Sequence, residues 1–347
     1  MTFYRCVVLA CIALVVAGQT PKALWSTTAA TRPQVSNYGY VFVTTSMSGN
    51  LAALNSSTGA LIKQVRDTVQ PGGLAYDPVS DTLVVTGGDG IAAYKGKTLT
   101  KLWHHPIEDG YIPTISGSVV YAGTDSDRIW ALHLSTGRAI WHRETKGQFG
   151  AGRPVVDGDT VFAATGNSVW AWYASNGTLK WRANEVPVRG GVFDSTPAVS
   201  NDVLVCGAYQ GKTVWAWDKG TGSALWSTTT TAGFYAHVKA RNGVVYGAAV
   251  DGSVYAMSDQ TGSVVWKSQV SSQAIEIVVT DYMVILLDGS GAVSALRVAD
   301  GSLAWTYSSG SPIQHVFAGM TLKGGILYVC TDNMGFALDV SAPTTSA

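Results

Sequence analysis

Short apolar runs recur along the chain, and each follows the same local pattern. An apolar residue is followed two places later by alanine, then by a turn carrying Thr-Gly or a similar pair, and then by tryptophan four residues after the glycine. The clearest copy runs from Val214 through Ala216 and Thr221-Gly222 to Trp226. Eight alanines mark the repeats: Ala53, Ala93, Ala131, Ala171, Ala216, Ala256, Ala295 and Ala337. Their spacing of 38 to 45 residues suits four short strands with their turns, which is one blade of a β-propeller.

The segments between these phrases also have the character of strands. Short β-branched and aromatic runs are bounded by Gly, Asp and Asn, as at Val119-Val120-Tyr121. In Trp170-Ala171-Trp172 the two indoles fall on one side of a strand, while Ala171 lies on the other, yet both sides are apolar. Both faces must therefore be buried, as in a blade between two neighbours. The pattern predicts an all-β fold, an eight-bladed β-propeller.

The two ends of the chain carry complementary parts of the repeat. The eighth repeat ends soon after Phe336-Ala337-Leu338 and lacks a tryptophan strand, whereas residues 23–28 closely repeat residues 224–229. We infer that the N-terminal segment supplies the outer strand of the last blade, which closes the ring and removes an open blade surface. A single propeller is thus expected over residues 19–340. The small residues of 341–347 predict a disordered tail.

Residues 1–18 have the features of a signal peptide. Arg5 supplies the positive region, Val7 to Ala17 form an uninterrupted apolar run, and Ala17-Gly18 offer a cleavage point. Eleven residues are too few to span a bilayer. A lipoprotein signal at Cys11 is the weaker alternative because the apolar run continues past that cysteine. We therefore expect a secreted or periplasmic protein without a membrane span or lipid anchor.

Composition narrows the classes of partner. The chain is 46% hydrophobic and 13% charged, so it can bury a substantial core. Lys plus Arg equals Asp plus Glu at 23 each, which removes the positive charge that nucleic acid or anionic membranes would need. Neither is expected as a partner. We expect a monomer that engages another protein.

The phrase from Ala216 to Trp226 resembles the tryptophan-docking repeat of the quinoprotein dehydrogenases and of BamB-like outer-membrane assembly factors, the PQQ-like repeat family. The resemblance extends from Leu24 to Asp339. It implies that each repeated tryptophan packs against the neighbouring repeat. These tryptophans are Trp25, Trp103, Trp141, Trp181, Trp226, Trp266 and Trp305. It does not imply one activity, because such propellers host unrelated functions.

The cysteines differ from those of the quinone enzymes in this family, which the resemblance implies hold their cofactor against a disulfide between adjacent cysteines. Here the four cysteines are Cys6, Cys11, Cys206 and Cys330, with no adjacent pair. The acidic calcium-loop pattern is also missing from the sequence. No cofactor is therefore expected. Cys206 and Cys330 fall in equivalent strands three units apart, which predicts free, buried thiols.

Ligands usually bind propellers where loops converge at the mouth of the central channel. Aligning the residue that opens each innermost strand gives a mainly polar column: Arg32, Gly72, Ile112, Arg153, Thr196, His237, Glu276 and His315. A solvated rim explains this column most simply. Alternatively, its polar members form a site for a peptide or small anion, with Arg32 and Arg153 as forked donors.

Two further sites have weaker support. His237, Glu276 and His315 come from three consecutive units and are ligand types that zinc or non-haem iron accepts, although a metal is not part of the leading interpretation. Asn55-Ser56-Ser57 and Asn176-Gly177-Thr178 match the glycosylation pattern in the same turn of two units.

The leading hypothesis is a non-catalytic scaffold that holds a protein partner on one propeller face, because the repeats cover the chain without a recognisable catalytic constellation. One alternative is an enzyme or sensor at the channel mouth, of the quinone- or metal-dependent oxidoreductase type. A carbohydrate-binding propeller is another.

Overall fold

The architecture was obtained as a computed structural model. It describes residues 20–28, 33–45, 50–66, 71–107, 110–124, 126–145, 153–165, 168–183, 196–208, 211–234, 238–270, 272–313 and 318–341. Every strand within these ranges belongs to one of eight four-stranded antiparallel sheets, and these ranges contain no helix. The predicted all-β, eight-bladed propeller is confirmed. The predicted signal peptide lies outside the described residues, as does the predicted tail after Ser341.

Each blade has an innermost strand beside the channel and a second strand that pairs with it. The innermost strands are β2 (Gln34–Val35), β6 (Pro71–Asp77), β10 (Thr114–Ser116), β14 (Val155–Asp157), β18 (Ala198–Ser200), β22 (Lys239–Arg241), β26 (Ala274–Val279) and β30 (Gly319–Lys323). The second strands are β3 (Tyr40–Thr45), β7 (Thr82–Gly87), β11 (Val119–Thr124), β15 (Thr160–Thr165), β19 (Val203–Ala208), β23 (Val244–Ala248), β27 (Met283–Asp288) and β31 (Ile326–Cys330).

The third and outer strands complete each blade. The third strands are β4 (Asn50–Asn55), β8 (Gly90–Lys95), β12 (Arg128–His133), β16 (Ser168–Tyr173), β20 (Thr213–Asp218), β24 (Ser253–Ser258), β28 (Ala292–Arg297) and β32 (Gly335–Asp339). The outer strands are β5 (Leu61–Arg66), β9 (Thr100–His105), β13 (Ala139–Glu144), β17 (Leu179–Ala183), β21 (Ala224–Thr229), β25 (Val264–Gln269), β29 (Leu303–Ser308) and β1 (Lys22–Thr27). Blade 1 is β2 to β5, and blade 8 combines β30, β31 and β32 with β1.

The repeat alanine and the repeat tryptophan are cross-strand partners. Ala131 lies opposite Trp141, and the same pairing occurs in seven blades, whereas in blade 1 Ala53 lies opposite Lys63. In all eight blades the register then shifts by one residue, so that the residue before the tryptophan position is the extra residue of a β-bulge.

Six of the repeated tryptophans reach forward to the next blade. The indole N–H of six tryptophans donates to a backbone carbonyl of the next blade's outer turn over 2.7–3.0 Å: Trp25, Trp103, Trp141, Trp181, Trp226 and Trp266. The same indole packs on the glycine of that turn. A Cβ on Gly177 would lie 2.6 Å from Cδ2 of Trp141, and Gly177 has a φ of +68°. Close approach and backbone conformation both require glycine there.

The contact between blades 1 and 2 is built differently. Lys63 occupies the tryptophan position, and Leu99, with a φ of +51°, occupies the glycine position of blade 2's turn. Leu99 is 2% exposed and packs with Phe42 and Leu51 in the apolar cluster between these blades. A leucine from blade 2 therefore fills space that a tryptophan from the preceding blade fills elsewhere.

The ring is closed by its first and last strands. β1 pairs antiparallel with β32, and Trp25 lies opposite Ala337. Where blade 8 meets blade 1, the Lys323 ammonium donates to Ser36 O at 2.8 Å and to Asn37 Oδ1 at 2.6 Å. The prediction that the N-terminal segment supplies the last blade's outer strand is confirmed.

The core is divided into apolar clusters between blades. Trp170 and Trp172 stack at 5.6 Å with rings 6° apart, as expected for side chains on one side of a strand. Cys206 and Cys330 are buried and form no disulfide, as the sequence predicts.

Candidate functional site

The strand registers define which residues are equivalent at the channel mouth. The innermost-strand residues facing the same second-strand position are Gln34, Ala75, Thr114, Val155, Ala198, Lys239, Val278 and Thr321. Two residues earlier in each blade stand Arg32, Gly73, Ile112, Arg153, Thr196, His237, Glu276 and Gly319.

This column differs from the predicted one at two positions. A register shift between Pro71 and Gly73 puts Gly73 in the place predicted for Gly72. In blade 8 the equivalent residue is Gly319, four places after His315, because the chain leading to that blade is longer than the sequence alignment assumed. Arg32, His237 and His315 lie outside the described residues.

Arg153 lies against the preceding blade. Its Nε is 3.4 Å from Oγ1 of Thr114, and that hydroxyl donates to Pro154 O at 2.6 Å. Thr321 makes the equivalent bond to Pro33 O, also at 2.6 Å, between blades 8 and 1. The guanidinium is half-buried. Arg153 is therefore positioned where hydrogen bonds join the start of blade 4 to the innermost strand of blade 3.

Glu276 is a buried carboxylate near the start of the innermost strand of blade 7. It is 2% exposed, and its Oε1 lies 4.0 Å from Nζ of Lys239 on the neighbouring blade. The register shift between Ala274 and Glu276 places this side chain. Thr196, at the equivalent position of blade 5, is also buried. An ion pair thus joins blades 6 and 7 where the sequence predicted only a polar column.

No group of three potential metal ligands is found among the described residues. Of the predicted metal set His237, Glu276 and His315, the described ranges contain Glu276 alone. The same ranges contain no helix that is long and apolar enough to cross a bilayer.

A polar cluster that sequence reasoning missed lies on the same face, at the turn between β23 and β24. The hydroxyl of Thr231 donates to Asp251 Oδ2 at 2.6 Å, and its backbone N–H donates to the Tyr255 hydroxyl at 3.1 Å. Burial opposes ionisation of Asp251, but the Thr231 hydroxyl and the Ser253 backbone N–H outweigh it, so its pKa lies below the ordinary value.

Charged groups on the opposite face tie blades to one another. The Asp259 carboxylate of blade 6 accepts the Ser200 hydroxyl of blade 5 at 2.6 Å. Lys219 forms an ion pair with Asp157 at 2.9 Å, and Arg241 forms one with Asp281 at 2.6 Å. Each pair joins two neighbouring blades. These groups stabilise contacts between blades.

The two glycosylation-type asparagines cap outer turns. Asn55 Oδ1 accepts the backbone N–H of Ser57 at 2.9 Å, and Asn176 Oδ1 accepts that of Thr178 at 2.8 Å. Modification of either stays a prediction.

A comparison with known protein families agrees with the eight-bladed ring. The family model described as outer membrane protein assembly factor BamB matches the chain twice, over residues 14–186 and 167–341. The chain belongs to this family. The BamB-type assignment confirms the resemblance seen in the repeated phrase at Ala216 to Trp226.

Individual relatives agree with the BamB-type assignment but are remote. The BamB of Yersinia pestis is 27% identical over 207 residues, 56% of this chain and 52% of that protein. The BamB of Moranella endobia is 27% identical over 259 residues, 64% and 62% of the two chains. A tetrathionate hydrolase of Acidithiobacillus ferrooxidans is 22% identical over 246 residues, 57% and 48%. The chain thus spans about half the length of most of these relatives.

Solved structures share the fold with this BamB-type chain. BamB from Moraxella catarrhalis superposes with a TM-score of 0.76 at 18% identity, covering 92% of this chain and 100% of that one. The Saccharomyces cerevisiae protein Sqt1 gives 0.80 at 10% identity, covering 93% and 100%. At such identities the likeness concerns the fold alone.

Proposed function

We propose that this chain is an exported, non-catalytic scaffold that holds a protein partner on one face of its propeller during the assembly of outer membrane proteins. The observation that carries the proposal is the double match of the BamB family model along the whole ring. The relatives named as assembly factors support the same role.

The face at which the innermost strands begin is the better candidate for the partner. It carries the half-buried Arg153 and the exposed Asp251 with its hydroxyl neighbours. On the opposite face, Lys219, Arg241 and Asp259 hold neighbouring blades together. Polar groups on a rigid scaffold supply orientation and specificity to an interface.

The test is affinity capture from the exported fraction of the source, comparing face variants. The variant Arg153→Glu with Asp251→Arg reverses one charge of each sign on the proposed face and leaves the net charge unchanged. Asp202→Arg, an exposed position on the opposite face, is the control. We expect the wild type and the control to recover the same protein, and the double variant to recover it at least about tenfold less, the effect of 1.4 kcal/mol.

Two results contradict this proposal. If the wild type recovers no protein in stoichiometric amount, the scaffold role is wrong. If Asp202→Arg loses the partner and the double variant keeps it, the partner binds the opposite face.

A second candidate is an enzyme or sensor with its site at the channel mouth. The buried Glu276 beside Lys239 supports it, because buried charged groups in clefts are enriched at functional sites. The similarity to a tetrathionate hydrolase points the same way. A thermal-shift screen with redox cofactors and divalent metals tests it: stabilisation by one compound that is lost in Glu276→Gln would favour this candidate over the scaffold.

A further inference from the structure

Charge is unevenly distributed over the propeller although the chain is neutral. The eight outer strands, which form the cylindrical wall of the ring, carry one acidic residue, Glu144. They carry eight basic residues: Lys22, Lys63, Arg66, Lys101, Arg143, Lys180, Arg182 and Lys267. The acidic residues are concentrated in the turns. The wall is therefore positive, which the overall balance of 23 against 23 conceals.

The wall cations of blades 3 and 4 are engaged within the chain. Arg143 donates to Gly177 O at 2.8 Å, and Lys180 pairs with Asp159 at 2.7 Å. Arg182 lies 4.1 Å from the centre of the Trp170 ring. Such internal partners reduce the charge available to an external ligand.

The cations of blades 8 and 1 are different. Within the ranges that the structure describes, Lys22, Lys63 and Arg66 are exposed and have no hydrogen bond or ion pair. The outer strands of blades 8, 1 and 2, β1, β5 and β9, contain no acidic residue. Exposed cations without an ion pair are thus grouped on one sector of the described wall.

Aliphatic side chains are exposed around the whole wall, and in this sector they lie beside the cations that have no ion pair. Leu24, Ile62 and Leu102 are the bulge residues of β1, β5 and β9 and are 42%, 46% and 47% exposed. Leu61 is 58% exposed, and Lys63 is exposed at the position where β1 and β9 bury a tryptophan. We call β1, β5 and β9 with these side chains the wall patch.

We propose that the wall patch binds an anionic phospholipid surface. Aliphatic side chains enter the headgroup region of a bilayer, while lysine and arginine contact lipid phosphates, and each such cation contributes about 1 kcal/mol near an anionic surface. The wall patch offers both on neighbouring blades.

This proposal revises the expectation from composition, which disfavoured anionic membranes. That expectation averaged the charge over the whole chain. Binding depends on local charge, because fields from exposed groups are screened within about 10 Å at ordinary salt.

Sedimentation with lipid vesicles tests the proposal. Full chains are mixed with vesicles of phosphatidylglycerol and phosphatidylcholine, or of phosphatidylcholine alone. Lys63→Glu with Arg66→Glu changes the wall patch. Lys212→Glu with Lys267→Glu makes the same net charge change on blades 5 and 6. All variants carry the same residues 1–19, so differences among them report the propeller.

We expect the wild type and the blade 5 and 6 variant to bind the anionic vesicles similarly, and Lys63→Glu with Arg66→Glu to bind about 30-fold more weakly or worse. Raising the salt from about 50 to about 500 mM should release the wild type. Leu61→Ser with Ile62→Ser should weaken binding without changing the salt dependence.

Three results overturn the proposal: no preference of the wild type for anionic over neutral vesicles, equal losses in the two charge variants, or binding that salt does not affect. Thermal unfolding of each variant establishes that it is folded. If a variant is not folded, the salt dependence of wild-type binding still tests the proposal. An acidic protein as the true occupant would appear as the first of these results.

Discussion

At the scale of single residues, the contact of Trp141 with Gly177 explains why the repeated phrase contains glycine at a fixed distance from tryptophan. The indole of one blade lies on the glycine of the next, and its N–H bonds Ala174 O at 2.8 Å. Any side chain at Gly177 would meet the ring and would also have to adopt a positive φ. These two costs can be separated by experiment.

Gly177→Ala should destabilise the protein by about 1–3 kcal/mol more than Gly158→Ala, because overpacking adds to the cost of backbone strain. Gly158 also has a positive φ, +55°, but a Cβ there would meet nothing within 4 Å. Urea unfolding of both variants measures the difference. Equal losses would mean that the contact with Trp141 contributes nothing.

At the scale of elements, the contact between blades 1 and 2 replaces the tryptophan and glycine pair as a unit. Leu99 has the same turn hydrogen bond to Lys95 O that Gly59 makes to Asn55 O, so the turn is retained while its contents change. The leucine fills the cluster that includes Phe42. The two substitutions are therefore coupled through one space.

Lys63→Trp with Leu99→Gly should restore the contact found elsewhere in the ring. Leu99→Gly alone should cost about 2–5 kcal/mol, because it empties a buried site. Lys63→Trp alone should also destabilise, since Leu99 occupies the space. A double-mutant cycle by urea unfolding should give a favourable coupling above about 1 kcal/mol. Additive effects would show that the two positions are independent.

Sequence reasoning predicted the blades because the alanine and tryptophan positions repeat, and these set the cross-strand register. It did not predict that Leu99 replaces the tryptophan and glycine pair between blades 1 and 2. A residue that departs from the repeat can be interpreted only when its neighbours in space are known. Sequence reasoning set the start of blade 8's innermost strand four residues before Gly319, because connecting segments have no repeat to count against. The pair of Lys239 and Glu276 joins two blades and could not be read from either alone.

At the scale of the whole molecule, aspartates in the turns make the free energy of unfolding depend on pH in the acidic range. The Lys180 ammonium holds the pKa of Asp159 below its ordinary value, as the Thr221 hydroxyl does for Asp218 and the Ser302 hydroxyl for Asp300. A pKa lowered by folding gives stability that is present above the unfolded value and is lost as the pH falls towards the folded value.

The free energy of unfolding should therefore be nearly constant from about pH 7 to about pH 5 and should fall below about pH 4. Urea unfolding across this range measures it. Asp218→Asn with Asp300→Asn should flatten the decline. Stability that rises as the pH drops from about 5 to about 3 would contradict the prediction.

Closure of blade 8 predicts the oligomeric state. The complete chain should be a monomer, whereas a chain lacking residues 1–28 leaves the edge of β32 unpaired and should self-associate through it. Light scattering after size exclusion measures both. A peptide of residues 20–28, added in trans, should return the truncated chain to a monomer; a truncated chain that stays monomeric without the peptide would contradict this role for β1.

The pairing of Lys22 with Asp339 also sets the order in which the protein can be completed. The first strand to leave the ribosome has its partner at the far end of the polypeptide, so β1 cannot pair until nearly the entire chain has been made. Contacts of such long sequence separation form slowly. A chain that stops short of β32 leaves Trp25 without its partner strand, and we expect this unpaired end to be more open to proteolysis than the closed ring.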